Sequence, residues 1–176
     1  SRADSIVLSI TFLATVLLTV DFAIMLGVLV SIVIFLNRSS QPMIHTQMPD
    51  PRNPRRRFNT DAALPECPQV KIVQIDGALF FGAANYVGEQ LHILFSRSSQ
   101  QKHLLILART INFIDMVGAE VLAREHRRRR ALGGGVYVHQ IRDKALKLLR
   151  RAGVAAQIGE ENFFVSKGDA VASIFE

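Results

Sequence analysis

The sequence holds a single cysteine, Cys67, and no tryptophan in 176 residues. One cysteine rules out an internal disulfide, and no Cys-x-x-Cys spacing exists to build a zinc site. Proline is missing from most of the chain, since all six lie between Pro42 and Pro68. Charge is missing from another part: residues 5–37 carry one charged side chain, Asp21. The net charge of +6 therefore belongs to the remainder. The first residue is Ser1 rather than methionine, and the expectation is a fragment of a longer protein. No small-residue cleavage pattern follows the apolar stretch, so a signal peptide is not expected.

The stretch Ile6–Leu36, with its single charge, is too long for one span, which needs about 20 residues, and too short for two full ones with a turn. Asp21 divides it into halves of 15 residues, Ile6–Val20 and Phe22–Leu36. As a helix each half would reach about 22 Å, against a hydrocarbon core of about 30 Å. One tilted span and a pair of short helices broken near Asp21 both remain open. The pair is preferred, because a carboxylate in lipid costs about 2.5–3.5 kcal/mol and sits better at a turn. Residues 1–37 are thus read as transmembrane helices. Residues 38–66, rich in proline and arginine, read as a linker in which neither helix nor sheet runs far. Arg38, Arg55, Arg56 and Arg57 follow the apolar segment and mark its cytoplasmic side, with anionic headgroups as partners within reach.

From residue 67 onward the chain alternates. Val70–Ile75 reads as a strand, and Ala78–Phe81 as a second one after an Asp76-Gly77 turn. Asn85 is placed to cap a helix. Leu104–Ala108 is a wholly apolar central strand. Asp115 is placed to cap a helix running to about Ala131, with Val117, Val121 and Leu122 inward and Arg127–Arg130 solvated in its last turns. Val136–Val138 is a strand, and a helix from Asp143 stops at Gly153. A short strand at Phe163–Val165 and a helix from about Lys167 close the domain. This is an α/β fold, with a mixed, mostly parallel sheet and about four helices.

Few residues carry chemistry. Gly133–Gly135 has no following Lys-Ser/Thr and leads into a strand, so it is a turn and not a P-loop. The histidines His45, His92, His103, His126 and His139 share no ligand spacing, and no metal or cofactor site is expected. No nucleophile–base pair is visible, which argues against an enzyme. Nucleic acid is not expected, since the basic runs lack a stacking surface. The turn Asp115–Gly118 has the frame of a functional loop, with fresh helix N–H groups, but Met116 and Val117 fill it with hydrocarbon.

The stretches TFLATVLLTVDFAIMLGVLVS (11–31), CPQVKIVQIDGALFFGAANYV (67–87), NFIDMVGAEVL (112–122), RRRRALGGGVYV (127–138) and ALKLLRRAGV (145–154) resemble, in this order, the end of a SulP-family anion permease. Such proteins close with short membrane helices and a cytoplasmic STAS domain. The resemblance implies a STAS domain over 67–176. It also implies a secondary transporter of sulfate, bicarbonate or related anions as the whole protein, with the substrate site in a missing N-terminal membrane domain, and a homodimer. In anti-sigma factor antagonists that share the domain, a phosphorylated serine precedes the loop glycine. Val117 stands there, so Asp115, Met116, Val117 and Gly118 match the regulatory loop without its acceptor. Two alternatives remain: a membrane-tethered STAS signalling adaptor without transport, and a nucleotide-binding switch.

Overall fold

The computed structural model describes residues 2–17, 19–49, 58–60, 64–98 and 100–175. Arg55, Arg56 and Arg57 lie outside these. The chain divides into two compact units, residues 1–40 and 41–176.

The first unit is a helical hairpin of α1 (Arg2–Leu17) and α2 (Val20–Ser39). Thr19 joins them in an extended conformation, φ −72° and ψ 150°. The helices close on small residues: Ala14, Ala23 and Gly27 are buried, and a Cβ on Gly27 would stand 2.7 Å from the Thr11 hydroxyl. Small contacts of this kind let apolar helices approach closely where lipid offers no hydrophobic drive. The hydroxyls of Thr15 and Ser31 donate to the carbonyls of Thr11 and Gly27 four residues back, both at 2.8 Å, so neither is left unpaired. Large apolar side chains such as Phe12, Phe22 and Phe35 point outward.

Thr19 stands between the two helices, two residues before Asp21, and the two arms are unequal. Asp21 sits in the first turn of α2. There the helix dipole favours a carboxylate, so the helix starts around it rather than stopping at it. With 20 residues and a mean hydropathy of 2.4, α2 is long and apolar enough to cross a membrane, whereas the apolar part of α1 is shorter, Ser5–Leu17.

The second unit is an α/β layer structure. In chain order it comprises β1 (Met43–Pro49), β2 (Phe58–Asn59), β3 (Val70–Leu79), α3 (Phe81–Arg97), β4 (His103–Leu107), β5 (Ile111–Ile114), α4 (Met116–Arg130), β6 (Val136–His139), α5 (Asp143–Arg151), α6 (Val154–Ile158), a 3-10 turn Glu160–Asn162, β7 (Phe163–Phe164) and α7 (Lys167–Phe175). The strand order is β2-β1-β3-β4-β6-β7, with β5 paired to β3 as well. Strands β3, β4, β6 and β7 run parallel, and β1 and β2 add an antiparallel edge. The strand period of two decides which side chains meet which layer. Val73, Ile75, Leu104, Ile106, Val136 and Val138 join the core with α3 to α6, and Val70, Ile72, Leu105 and Leu107 face α7.

Four local readings change. Strand β1 lies inside the stretch read as linker: Pro42 precedes it and Pro49 is its last residue, and the ends of a strand tolerate proline. No hairpin forms at Asp76-Gly77. The strand runs through, with a bulge at Gly77/Ala78 and Gly77 at φ 135°, because its far end has a new partner in β5. Asn85 lies inside α3, whose first residue is Phe81, four positions earlier. Among the described residues the unit has five α-helices against about four expected, the extra one being the five-residue α6 after Gly153, whose φ is 72°.

Among the described residues Gln140 is the one non-glycine with positive φ, 54°, held where its N–H donates to the Phe164 carbonyl at 2.8 Å. Left-handed backbone costs a side-chain-bearing residue about 1–2 kcal/mol, partly offset for glycine by its entropy in the unfolded chain. Gln140→Gly is expected to raise the stability of the unit by about 0.5–1 kcal/mol. Urea titration checks this, and an unchanged or lowered midpoint contradicts it.

Candidate functional site: the turn at Asp115

The turn lies at the carboxyl ends of the parallel strands, where open α/β sheets place ligands. Asp115 is extended (φ −112°, ψ −176°), and its Oδ1 accepts from Gly118 N–H at 2.8 Å, capping α4. Its Oδ2 accepts from Phe81 N–H at 2.9 Å. Helix α3 has no side-chain cap of its own on Phe80, so one carboxylate serves the first turns of both helices. The Asp115 N–H donates to the Leu79 carbonyl at 3.1 Å, tying the loop to the end of β3.

Gly118 is required by that approach. A Cβ there would stand 2.0 Å from the Leu79 oxygen and 2.6 Å from its carbonyl carbon. Gly134 plays the same part under the opposite end of the sheet, where a Cβ would meet the Lys102 oxygen at 2.0 Å. The triplet Gly133–Gly135 is thus a close-approach turn.

Met116 and Val117 project outward, 60% and 49% exposed. Val117 was expected inward with Val121 and Leu122, but only the latter two are buried, since residue 117 belongs to the first turn, which overhangs the strand ends. Phe81 (72% exposed) and Phe113 (49%) flank the turn, one bonded to Asp115 and the other two residues before it. The patch offers hydrocarbon and one occupied carboxylate. It contains no nucleophile, no base and no phosphate acceptor.

The arginine run is not uniformly solvated. Arg129 is 1% exposed. Its Nε donates to Glu125 Oε1 at 2.6 Å, its Nη1 to the Gln101 carbonyl at 2.7 Å, and its guanidinium lies 4.8 Å from the Phe95 ring centre. Desolvation pushes its pKa down, and Glu125 opposes that. The i, i+4 spacing of Glu125 and Arg129 was a signal for the pair. Nothing in the run distinguished the buried arginine from Arg128 or Arg130. Arg127 instead pairs outward with Glu120 and with Gln157 at 3.0 Å. Of the histidines, His126 and His139 are buried, and desolvation pushes both pKa values down, which favours neutral rings. Cys67 is half-buried, and its carbonyl accepts from Gln101 Nε2 at 2.7 Å. Arg38 lies in the last turn of α2.

The STAS domain family model matches residues 61–170. Over 164 residues the chain is 28% identical to "Putative sulfate transporter YvdB" of Bacillus subtilis (strain 168), covering 93% of this chain and 29% of that protein. The murine Slc26a9 anion transporter in its inward-facing state superposes with a TM-score of 0.83 at 19% identity, over 99% of this chain and 29% of that one. A sulfate transporter family protein from Wolinella succinogenes superposes with a TM-score of 0.54 at 23% identity, over 66% of this chain and 95% of that one. The chain thus spans 29% of the length of the two transporters. With the bulged β3, the Asp115 turn and the capped α4 all inside the matched region, the chain belongs to the STAS domain family.

Proposed function

We propose that this chain is the C-terminal part of a SulP-type secondary transporter of sulfate, bicarbonate or a related inorganic anion, and that its STAS domain is a cytoplasmic docking module without a phosphorylation switch. The carrying observation is the patch of Phe81, Phe113, Met116 and Val117 around Asp115. Exposed apolar side chains clustered at one site mark interaction surfaces. The position before the loop glycine holds no hydroxyl, so phosphate has nothing to attach to. The occupant is the membrane domain of the same transporter, in a homodimer. Arg38 at the end of α2 supports a cytoplasmic side for the domain, by the excess of basic residues in such positions. The name of the similar bacterial protein, "Putative sulfate transporter YvdB", supports the substrate class.

The test uses the full-length transporter in cells and labelled sulfate or bicarbonate. Met116→Glu with Val117→Glu places two charges in the patch and is expected to cut uptake about tenfold, the equivalent of about 1.4 kcal/mol of lost docking. Val117→Ser restores a hydroxyl and is expected to confer no phosphorylation-dependent regulation, because a hydroxyl without a cognate kinase carries no signal. Wild-type uptake by the double variant would refute the docking role. No uptake of any anion by the unmodified protein would favour the tethered adaptor.

A further inference from the structure

Helix α5 turns Ala145 and Leu149 into the core. Its opposite side carries Lys144, Lys147 and Arg151, all exposed. At spacings i, i+3 and i+7 they form one narrow stripe along the helix. Arg142 precedes the helix and donates to the carbonyl of Arg109 at 3.5 Å, which brings a further exposed cation to the same end. Two carboxylates are near in sequence. Asp143 sits in the first turn, where the helix dipole holds it, and Glu160 is taken by Arg150, with contacts of 2.8–3.2 Å. Among the described residues no carboxylate pairs with Lys144, Lys147 or Arg151.

We propose that this stripe binds the headgroups of anionic lipids. The surface is an exposed helix face, and two of its three cations are lysines. Lysine is a compact point charge on a flexible stem, suited to a mobile field of phosphates, whereas a fixed protein carboxylate is better met by the arginine fork. The chain also carries α2, long and apolar enough for a membrane, and belongs with proteins that resemble membrane transporters. Basic residues near an anionic leaflet each raise binding about fivefold, and the attraction fades within a Debye length of about 8 Å at physiological salt.

The unit 41–176 holds both hydrophobic cores of the sheet, and the Wolinella protein shows a domain of this size standing alone, so the unit is tested by itself. Its sedimentation with phosphatidylcholine vesicles containing about 30 mol % phosphatidylserine is measured against salt. The expected result is salt-sensitive binding that falls about a hundredfold in Lys144→Gln/Lys147→Gln/Arg151→Gln. Lys144→Arg/Lys147→Arg is expected to bind as wild type. Arg97→Gln/Arg124→Gln/Arg130→Gln removes the same charge elsewhere and is expected to lose much less. Circular dichroism melting confirms that each variant folds. Equal losses in the two triple variants would overturn the proposal, because net charge alone would then explain the binding. Absence of wild-type binding to these vesicles would overturn it too, and binding to polyglutamate in its place would assign the stripe to an acidic protein.

Discussion

Gly118→Ala is expected to destabilise the domain by about 3 kcal/mol, although alanine is the better helix former by about 1 kcal/mol. The new methyl would enter the space of the Leu79 carbonyl, 2.0 Å from its oxygen and 2.6 Å from its carbon. Both are backbone atoms, so no rotamer change relieves the contact. Leu79 is fully buried, its carbonyl accepts from Asp115, and β3 ends there. The turn must therefore move away from the strand, straining the cap on α4 and the bond to Phe81. Gly88→Ala in α3 is the control: its methyl would meet Arg124 Nη2 at 3.6 Å and Val121 Cγ1 at 4.0 Å, ordinary contacts. That variant should be about 0.5–1 kcal/mol more stable than wild type. Urea unfolding of both decides the matter, and a Gly118→Ala domain as stable as wild type would show that the close approach is not needed.

Arg129→Leu carries the second large effect, a loss of about 3–5 kcal/mol. Breaking a buried pair leaves Glu125, itself 5% exposed, without its main partner, and the Gln101 carbonyl loses its guanidinium donor. Arg128, 3.7 Å from Glu125 Oε2, retains some attraction and holds the loss toward the lower end of that range. The double variant Glu125→Leu/Arg129→Leu removes both charges, and burying two hydrocarbons is far cheaper than burying one lone carboxylate. The double variant should thus be more stable than Arg129→Leu alone. Strictly additive losses around the double-mutant cycle would mean that the two side chains do not interact.

The alternation of apolar strands and amphipathic helices was legible because it follows from local periods: Leu104–Leu107 and the Val121–Leu122 face needed no tertiary knowledge. The cap at Asp115 was legible for the same reason, its acceptor and its donor being three residues apart. The readings that changed were set by distant partners. The strand through Asp76-Gly77 continues because β5, over thirty residues later, pairs with its end. Strand β1 hides among prolines because its pairing comes from β3. The second ligand of Asp115, the N–H of Phe81, is 34 residues away and leaves no mark in the local sequence. Burial of Arg129 depends on the distant Gln101, whose carbonyl it reaches, and on Phe95, which also lies against Arg128. The apolar filling at Met116 and Val117 could be read directly, but its exposure could not, since a valine in a first helical turn faces in or out according to what overhangs it.

Because one carboxylate holds the starts of α3 and α4, the two helices are yoked. Turning either about its axis strains the bond to the other, so a partner that grips Met116 and Val117 also loads α3 through Phe81. Helix α3 has 17 residues and extends about 25 Å from that point. The turn thus works as a mechanical joint: force applied at the hydrocarbon patch has a lever reaching along α3 to Arg97.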